Sequence, residues 1–299
     1  IPNQQLDKIK WDHCIDNASN GLIYAYSFYL DRMARNWDAL VLDDYEAVMP
    51  LPWNRKFGIS YIYQPYLTAQ LGIFGNNLNE ELTGRFIQQI PSRFRLVELS
   101  LNSGNLWGNP PGYSWLRNNY ILSLDRPYDE LYQGYRDNIK RNIRKSKQLG
   151  CVEKRDFDPE EVFRLALQQA GTYDQAMVGN MERIRDLYQF LHSRKMATPY
   201  GIFSSKNELL SSCIFFFSHG RAYYILVGNH PNGRTLGASH ALIDAFIRDH
   251  AGQKMILDFE GSDIRNLAFF YNSFGAKQIV YPAIRINRLP FYLRWVKSS

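Results

Sequence analysis

Two stretches of this chain carry residue types suited to holding phosphate, and a third carries carboxylates placed to move a proton. The first runs over 232–239 as Asn232, Gly233, Arg234, Thr235, Leu236, Gly237, Ala238 and Ser239, directly ahead of an apolar helix pattern. A helix N-terminus presents unpaired N–H groups and about half a positive charge. Gly233 and Gly237 permit close backbone approach or positive φ. Arg234 adds a charge-assisted donor. The plainer reading is a strand-to-helix loop with glycines for turning. The second stretch is basic: Arg136, Lys140, Arg141, Arg144, Lys145 and Lys147 stand against one acid, Asp137. Arg136, Lys140 and Arg144 are four apart and form one ridge, with Ile139 and Ile143 marking the buried side. Such a ridge suits the phosphates of tRNA, of a nucleotide-linked precursor or of an anionic membrane, and equally an ordinary solvated face. In the third, Asp258 and Glu260 alternate with Leu257 and Phe259, so they share a strand face. A carboxylate there accepts an amine proton or binds an acceptor; otherwise it forms a salt bridge, or Ser262 or Asp263 caps the next helix.

Composition narrows the setting. The net charge of +6 is uneven: residues 1–125 carry 10 Lys/Arg against 12 Asp/Glu, and 126–299 carry 25 against 17. The second half is therefore the expected home of an anionic ligand. Cys14, Cys151 and Cys213 are far apart and odd in number, which fits a reducing, cytoplasmic setting. The six histidines show no metal-ligand spacing, so no metal site is expected. The polar opening residues do not resemble a signal peptide, and the longest apolar runs are far short of a membrane span.

These residues need a scaffold, and the pattern supplies one. A helix is expected over 6–17, a hairpin over 39–51, a strand over 59–63, a helix over 78–90 and a strand over 95–101. A Gly/Asn/Pro-rich loop follows over 102–112, then a strand over 120–124. The basic segment reads as one helix over 129–150. Asp158-Pro159-Glu160-Glu161 is a helix start, with an N-cap, proline at the first position and acids in the first turn. Strands over 200–204, 209–218 and 221–228 are joined by tight turns and must be antiparallel. A helix over 238–250, a strand over 255–259, a helix over 264–273 and one or two last strands over 278–287 complete the chain. The class is α+β, with a division near 125.

The order of elements from 198 to 276 resembles the GNAT acyltransferase superfamily. Arg234-Thr235-Leu236-Gly237-Ala238-Ser239 is similar to that family's Arg/Gln-x-x-Gly-x-Gly/Ala pyrophosphate motif, with Ser239 departing at the last position. The segment from Phe270 and Tyr271 to Gly275 and Ala276 is similar to its closing motif. The whole chain resembles tandem-GNAT proteins related to the Fem aminoacyltransferases. The residues that carry this are the basic segment 138–146, the strand end 258–262, and Trp37, Pro50-Leu51-Pro52, Gln64-Pro65-Tyr66 and Gly72-Ile73.

The resemblance implies two GNAT-like domains, each a mixed, mostly antiparallel sheet flanked by helices: a degenerate one over 1–125 and one over 126–299 with the donor site. It implies acyl-CoA, such as acetyl-CoA, as co-substrate. The acyl carbonyl would lie against the backbone of Leu226, Val227 and Gly228, and the pyrophosphate at 233–239. Tyr271 would be the general acid, with Glu260 or Asp258 serving the acceptor amine and His240 a lesser candidate base. The alternatives are a Fem-like enzyme drawing on aminoacyl-tRNA to modify a cell-wall peptide, although no heptad-rich insertion is present, and a non-catalytic binding module of the same fold.

Overall fold

The computed structural model describes residues 1–105, 113–155, 157–171, 174–261 and 263–290. Residues 106–112 of the expected glycine-rich loop, and Ser262, lie outside the described residues. The chain forms two compact units, one of 1–117 with 280–299 and one of 118–279. The last strand thus returns its residues from 280 onward to the first unit, where sequence reading put them in the second.

The first unit contains α1 (Lys8–Asn17), α2 (Ser27–Met33), β1 (Asn36–Leu42), β2 (Ala47–Lys56), β3 (Ile59–Ile62), β4 (Phe74–Gly75), α3 (Glu80–Gln88) and β5 (Phe94–Ser100). The stretch 22–30, apolar enough for either state, is a 3-10 turn followed by α2. β1, β2 and β3 are antiparallel neighbours and β3 pairs with β5 in parallel. Asp7 starts α1 by accepting hydrogen bonds from the amides of Ile9 and Lys10. Trp11 of α1 is fully buried, with its ring centroid 5.2 Å from that of Trp37.

The second unit takes up β6 (Tyr113–Ser123) from residue 118 and continues with α4 (Tyr128–Gln133), α5 (Asp137–Gln148), β7 (Val152–Lys154), α6 (Pro159–Ala170), α7 (Gln175–His192), β8 (Ala197–Phe203), β9 (Leu209–Ser218), β10 (Arg221–Asn229), α8 (Pro231–Leu236), α9 (Ala238–His250), β11 (Ile256–Asp258) and α10 (Arg265–Asn272), and β12 (Lys277–Asn287) is the last strand among the described residues. Its strands run in the order β6-β11-β10-β9-β8-β7. β10 and β11 are parallel and the other pairs are antiparallel. β-Alternation divides the apolar side chains between the two faces. Phe215, Tyr224, Leu257 and Phe259 join α9, α5 and α10 in one core. Phe246 of α9 is fully buried there and stacks on Phe215 at 3.8 Å.

Two differences from the sequence pattern bear on the site. The basic segment is two helices, because Gly134, Tyr135 and Arg136 break it between α4 and α5. The 232–239 stretch is no open loop: Pro231 starts α8, and Gly237 at φ 69° turns the chain straight into α9.

Candidate active site

β10 and β11 stay together for only three residues, Arg221 to Tyr223 against Ile256 to Asp258. What parts them begins with Asp258. Its carboxylate is almost fully buried and fully engaged: Oδ2 meets Arg221 Nη1 at 2.6 Å, while Oδ1 accepts from Asn119 Nδ2 and from the backbone N–H of Glu260, both at 2.9 Å. A side chain gripping the amide two residues on makes a tight local turn. Glu260 and Gly261 accordingly take φ of 66° and 85°, and the chain leaves the sheet. A non-glycine residue at positive φ is uncommon and marks a conformation held by its surroundings.

β10 meanwhile bends. Leu226 sits at φ 46° and opposes no residue of β9, because the register shifts between Ile225 and Val227. This is a β-bulge, which bends a strand and re-aims its side chains. The Cys213 thiol lies under it and donates to the carbonyls of Ile225 at 3.0 Å and Ile214 at 3.2 Å. Beyond the bulge, α6 passes close over Gly228, where an added Cβ would sit 2.8 Å from the amide nitrogen of Ala166.

Tyr271 of α10 lies at this parting. Its ring stacks on Phe259 at 4.5 Å, edges against Tyr224 at 6.3 Å and is buried. Burial, followed by Cys213 and the Glu260 carboxylate, holds its phenol well above the ordinary tyrosine range. Burial also raises the Cys213 thiol, with Glu260 adding to it, and raises the Tyr224 phenol, with Cys213 and Tyr271 adding. Four titratable groups, Cys213 and Tyr224 from two strands, Glu260 from the turn after β11 and Tyr271 from α10, thus influence one another. In sequence, Cys213 and Tyr224 are apolar-run residues with no mark of a site; only the bulge brings them in.

The expected phosphate turn has a different neighbourhood. The Cα of Gly237 faces α5: a Cβ there would meet the Asn142 carbonyl oxygen at 2.5 Å. Gly233 faces β9, where a Cβ would meet the Leu210 carbonyl oxygen at 2.3 Å. Both glycines are thus required by backbone-to-backbone packing. Ala238 is fully buried, Ser239 half-buried, and Arg234 and Thr235 sit on the exposed side of α8. α5 also reaches α10, since the Arg136 amide donates to the Ser273 carbonyl at 2.9 Å. The helix therefore bridges the start of α9 and the end of α10.

On the outside of α5 the basic ridge is as expected. Arg136 donates to Asn272 Oδ1 at 2.9 Å and lies over the Phe269 ring, and Lys140 donates to the Gln133 carbonyl at 3.1 Å. Arg144 bonds the Lys140 carbonyl at 3.4 Å. Arg141 and Lys145 are exposed, with no acidic partner among the described residues. His240, in the first turn of α9, packs edge-on against Phe270 at 5.0 Å, and its buried Nδ1 has no hydrogen-bond partner among the described residues. Burial pushes its pKa down to about 4, so it is neutral near pH 7.

With this geometry in view, the comparisons say what the chain is similar to. A family model described as Acetyltransferase (GNAT) domain matches residues 133–263. Residues 133–263 thus match a GNAT-family acetyltransferase domain. No curated protein sequence shows significant similarity to it. The crystal structure of FemX aligns over 93% of this chain and 96% of its own, at 12% identity and TM-score 0.64. A conserved protein of unknown function from Bacteroides thetaiotaomicron aligns over 94% and 97%, at 11% identity and TM-score 0.60. L-PGS from Bacillus licheniformis aligns over 95% and 93%, at 8% identity and TM-score 0.51. At such identities the likeness is one of fold, and it covers 93% or more of each of these chains. Among the described residues, no helix is long and apolar enough to cross a membrane, and no cluster of three or more His, Cys, Asp or Glu could hold a metal.

Two outcomes follow. Gly237→Ala forces alanine into a left-handed conformation, which costs about 1–2 kcal/mol, and drives its Cβ onto Asn142. Chemical denaturation should show a loss of about 2 kcal/mol or more. His240 has a folded-state pKa below its ordinary 6.5, so the unfolded chain binds the proton first as pH falls. Its contribution is therefore intact above pH 6.5 and lost progressively toward pH 4. Denaturation midpoints across that window should fall in the wild type and fall less in His240→Gln.

Proposed function

We propose that this protein transfers an acyl group to an amine at the parting of β10 and β11, with Tyr271 as general acid and Glu260 as the group that takes the amine proton. The observation that carries the reading is the place of Tyr271, stacked on Phe259 and edged against Tyr224 where β11 turns away at Glu260 and β10 bulges at Leu226. The amine nitrogen attacks the acyl carbonyl carbon, whose oxygen rests against the backbone at Leu226 to Gly228. The amine proton passes to Glu260. As the carbonyl-to-leaving-group bond breaks, the Tyr271 hydroxyl gives its proton to the departing atom. Asp258 is a positioning residue in this scheme, since its oxygens already hold Arg221, Asn119 and the Glu260 amide.

For the donor we favour an aminoacyl ester on tRNA over acyl-CoA. Two features support this. The Cα faces of Gly233 and Gly237 are taken by Leu210 and Asn142. The exposed cations Arg141, Arg144 and Lys145 lie on the outer side of the helix that covers Gly237. Acyl-CoA is the second reading. It is favoured by the family description and by Arg234, exposed just ahead of α9. The compartment we assign is reducing, as in the cytoplasm, in keeping with three free cysteines.

The test uses the full chain with an aminoacyl-tRNA and a panel of primary-amine acceptors, following amide formation. Tyr271→Phe and Glu260→Gln should each slow transfer by about 10²-fold or more, with tRNA affinity unchanged. Wild-type rates in both variants would remove the catalytic assignment.

A further inference from the structure

The β2–β3 hairpin has no part in this site, yet it is built at a cost. Its two-residue loop is Phe57-Gly58, with φ of 49° and 79°. Both central residues at positive φ make this a type I′ turn, whose first position favours Asn, Asp or Gly. A bulky aromatic there is a true outlier. Nothing in the protein rewards it: the Phe57 ring is 92% exposed, the most exposed large hydrophobic side chain among the described residues.

The surroundings are cationic. Arg55 and Lys56 precede Phe57 on β2, both exposed, and the Lys56 ammonium lies 5.8 Å from its ring centroid. The strand register brings more charge to the same end of this sheet. Asn36 pairs with Trp53, placing Arg35 beside the hairpin. Ser60 pairs with Phe94, placing Arg93 and Arg95 there too. Two acids lie near, and both are engaged: Asp38 with Arg93, and Asp31 with Lys8. Arg35 and Arg95 have no acidic partner among the described residues.

We infer that this hairpin docks the protein on an anionic lipid surface, with Phe57 entering the headgroup region and Arg55, Lys56, Arg35 and Arg95 meeting lipid phosphates. The placement separates this from nucleic-acid binding. The ring stands at an apex with the cations set behind it, which suits an aromatic that penetrates while charged heads stay at phosphate level. A base-stacking ring would lie within the cationic surface instead. Charge complementarity names the occupant: each basic residue at an anionic membrane strengthens binding severalfold.

The turn itself supplies a clean control. Phe57→Asn places a favoured residue in the type I′ turn, so thermal stability should hold or rise. Full-length protein is sedimented with vesicles of phosphatidylcholine containing phosphatidylglycerol, and with phosphatidylcholine alone. Wild type should partition onto the anionic vesicles only and be released by salt. Phe57→Asn should bind about tenfold more weakly, and Arg55→Gln with Lys56→Gln weaker by a similar factor. Absent binding, equal binding to both vesicles, or a stable Phe57→Asn that binds like wild type would each overturn the inference. So would tRNA binding that needs Phe57 and both cations while vesicles are ignored.

Discussion

The parting of β10 from β11 rests on one buried carboxylate. Removing an ionised aspartate from water is expensive unless its oxygens are paired and hydrogen-bonded. Asp258 satisfies that condition with Arg221, Asn119 and the Glu260 amide. Those bonds are also what end β11, since the grip on the Glu260 amide requires the turn that lifts the chain from the sheet. The bulge at Leu226 completes the opening from the other side. An ion pair with the look of a stabilising detail thereby sets where two parallel strands separate, and where the chain turns away at Glu260. Breaking it by truncating one partner would strand the other charge, a far larger penalty than the pair's net contribution.

A second constraint is the seat of α5. Its inner side brings Ile139 and Ile143 into the core that holds Tyr271, and its backbone lies against Gly237. Its outer side carries the basic ridge. One amphipathic helix therefore does two things at once: it covers the start of α9 and offers cations to solvent beside it. The family resemblance alone sends a phosphate to the 232–239 turn. The packing makes the outer face of α5 the more open place for one, and that is why the proposed donor differs from the acyl-CoA expected of the motif.

Much of this was readable beforehand because it depends on local rules. The three strands from 197 to 229 are long, apolar and joined by tight turns. The Asp158-Pro159 helix start and the glycine ending at Gly275 are short-range signals. The GNAT order of elements followed from them. Tyr271 and Glu260 were legible through motif position, and the structure brings them together; what they do there is the proposal. The misses were tertiary. No local pattern shows that the Cα faces of Gly233 and Gly237 pack on the Leu210 and Asn142 carbonyls. The Arg221–Asp258 pair joins residues 37 apart, so the sequence left Asp258 open between a reactive carboxylate and a salt bridge. Cys213 and Tyr224 looked like core because they are core, and only the bulge sets them beside the parting of the strands. The single basic helix over 129–150 failed at Gly134, where the break lets Arg136 reach Ser273.

The most direct measurement is a paired binding experiment on the full chain, with aminoacyl-tRNA in one arm and acetyl-CoA in the other, each repeated with Arg141, Arg144 and Lys145 changed to glutamine. The account predicts salt-sensitive tRNA binding whose salt slope falls in the variant, because each phosphate left unneutralised keeps about one counterion that binding would otherwise release, and no binding of acetyl-CoA by either protein. Tight acetyl-CoA binding that is indifferent to the α5 substitutions, with no affinity for tRNA, would contradict it.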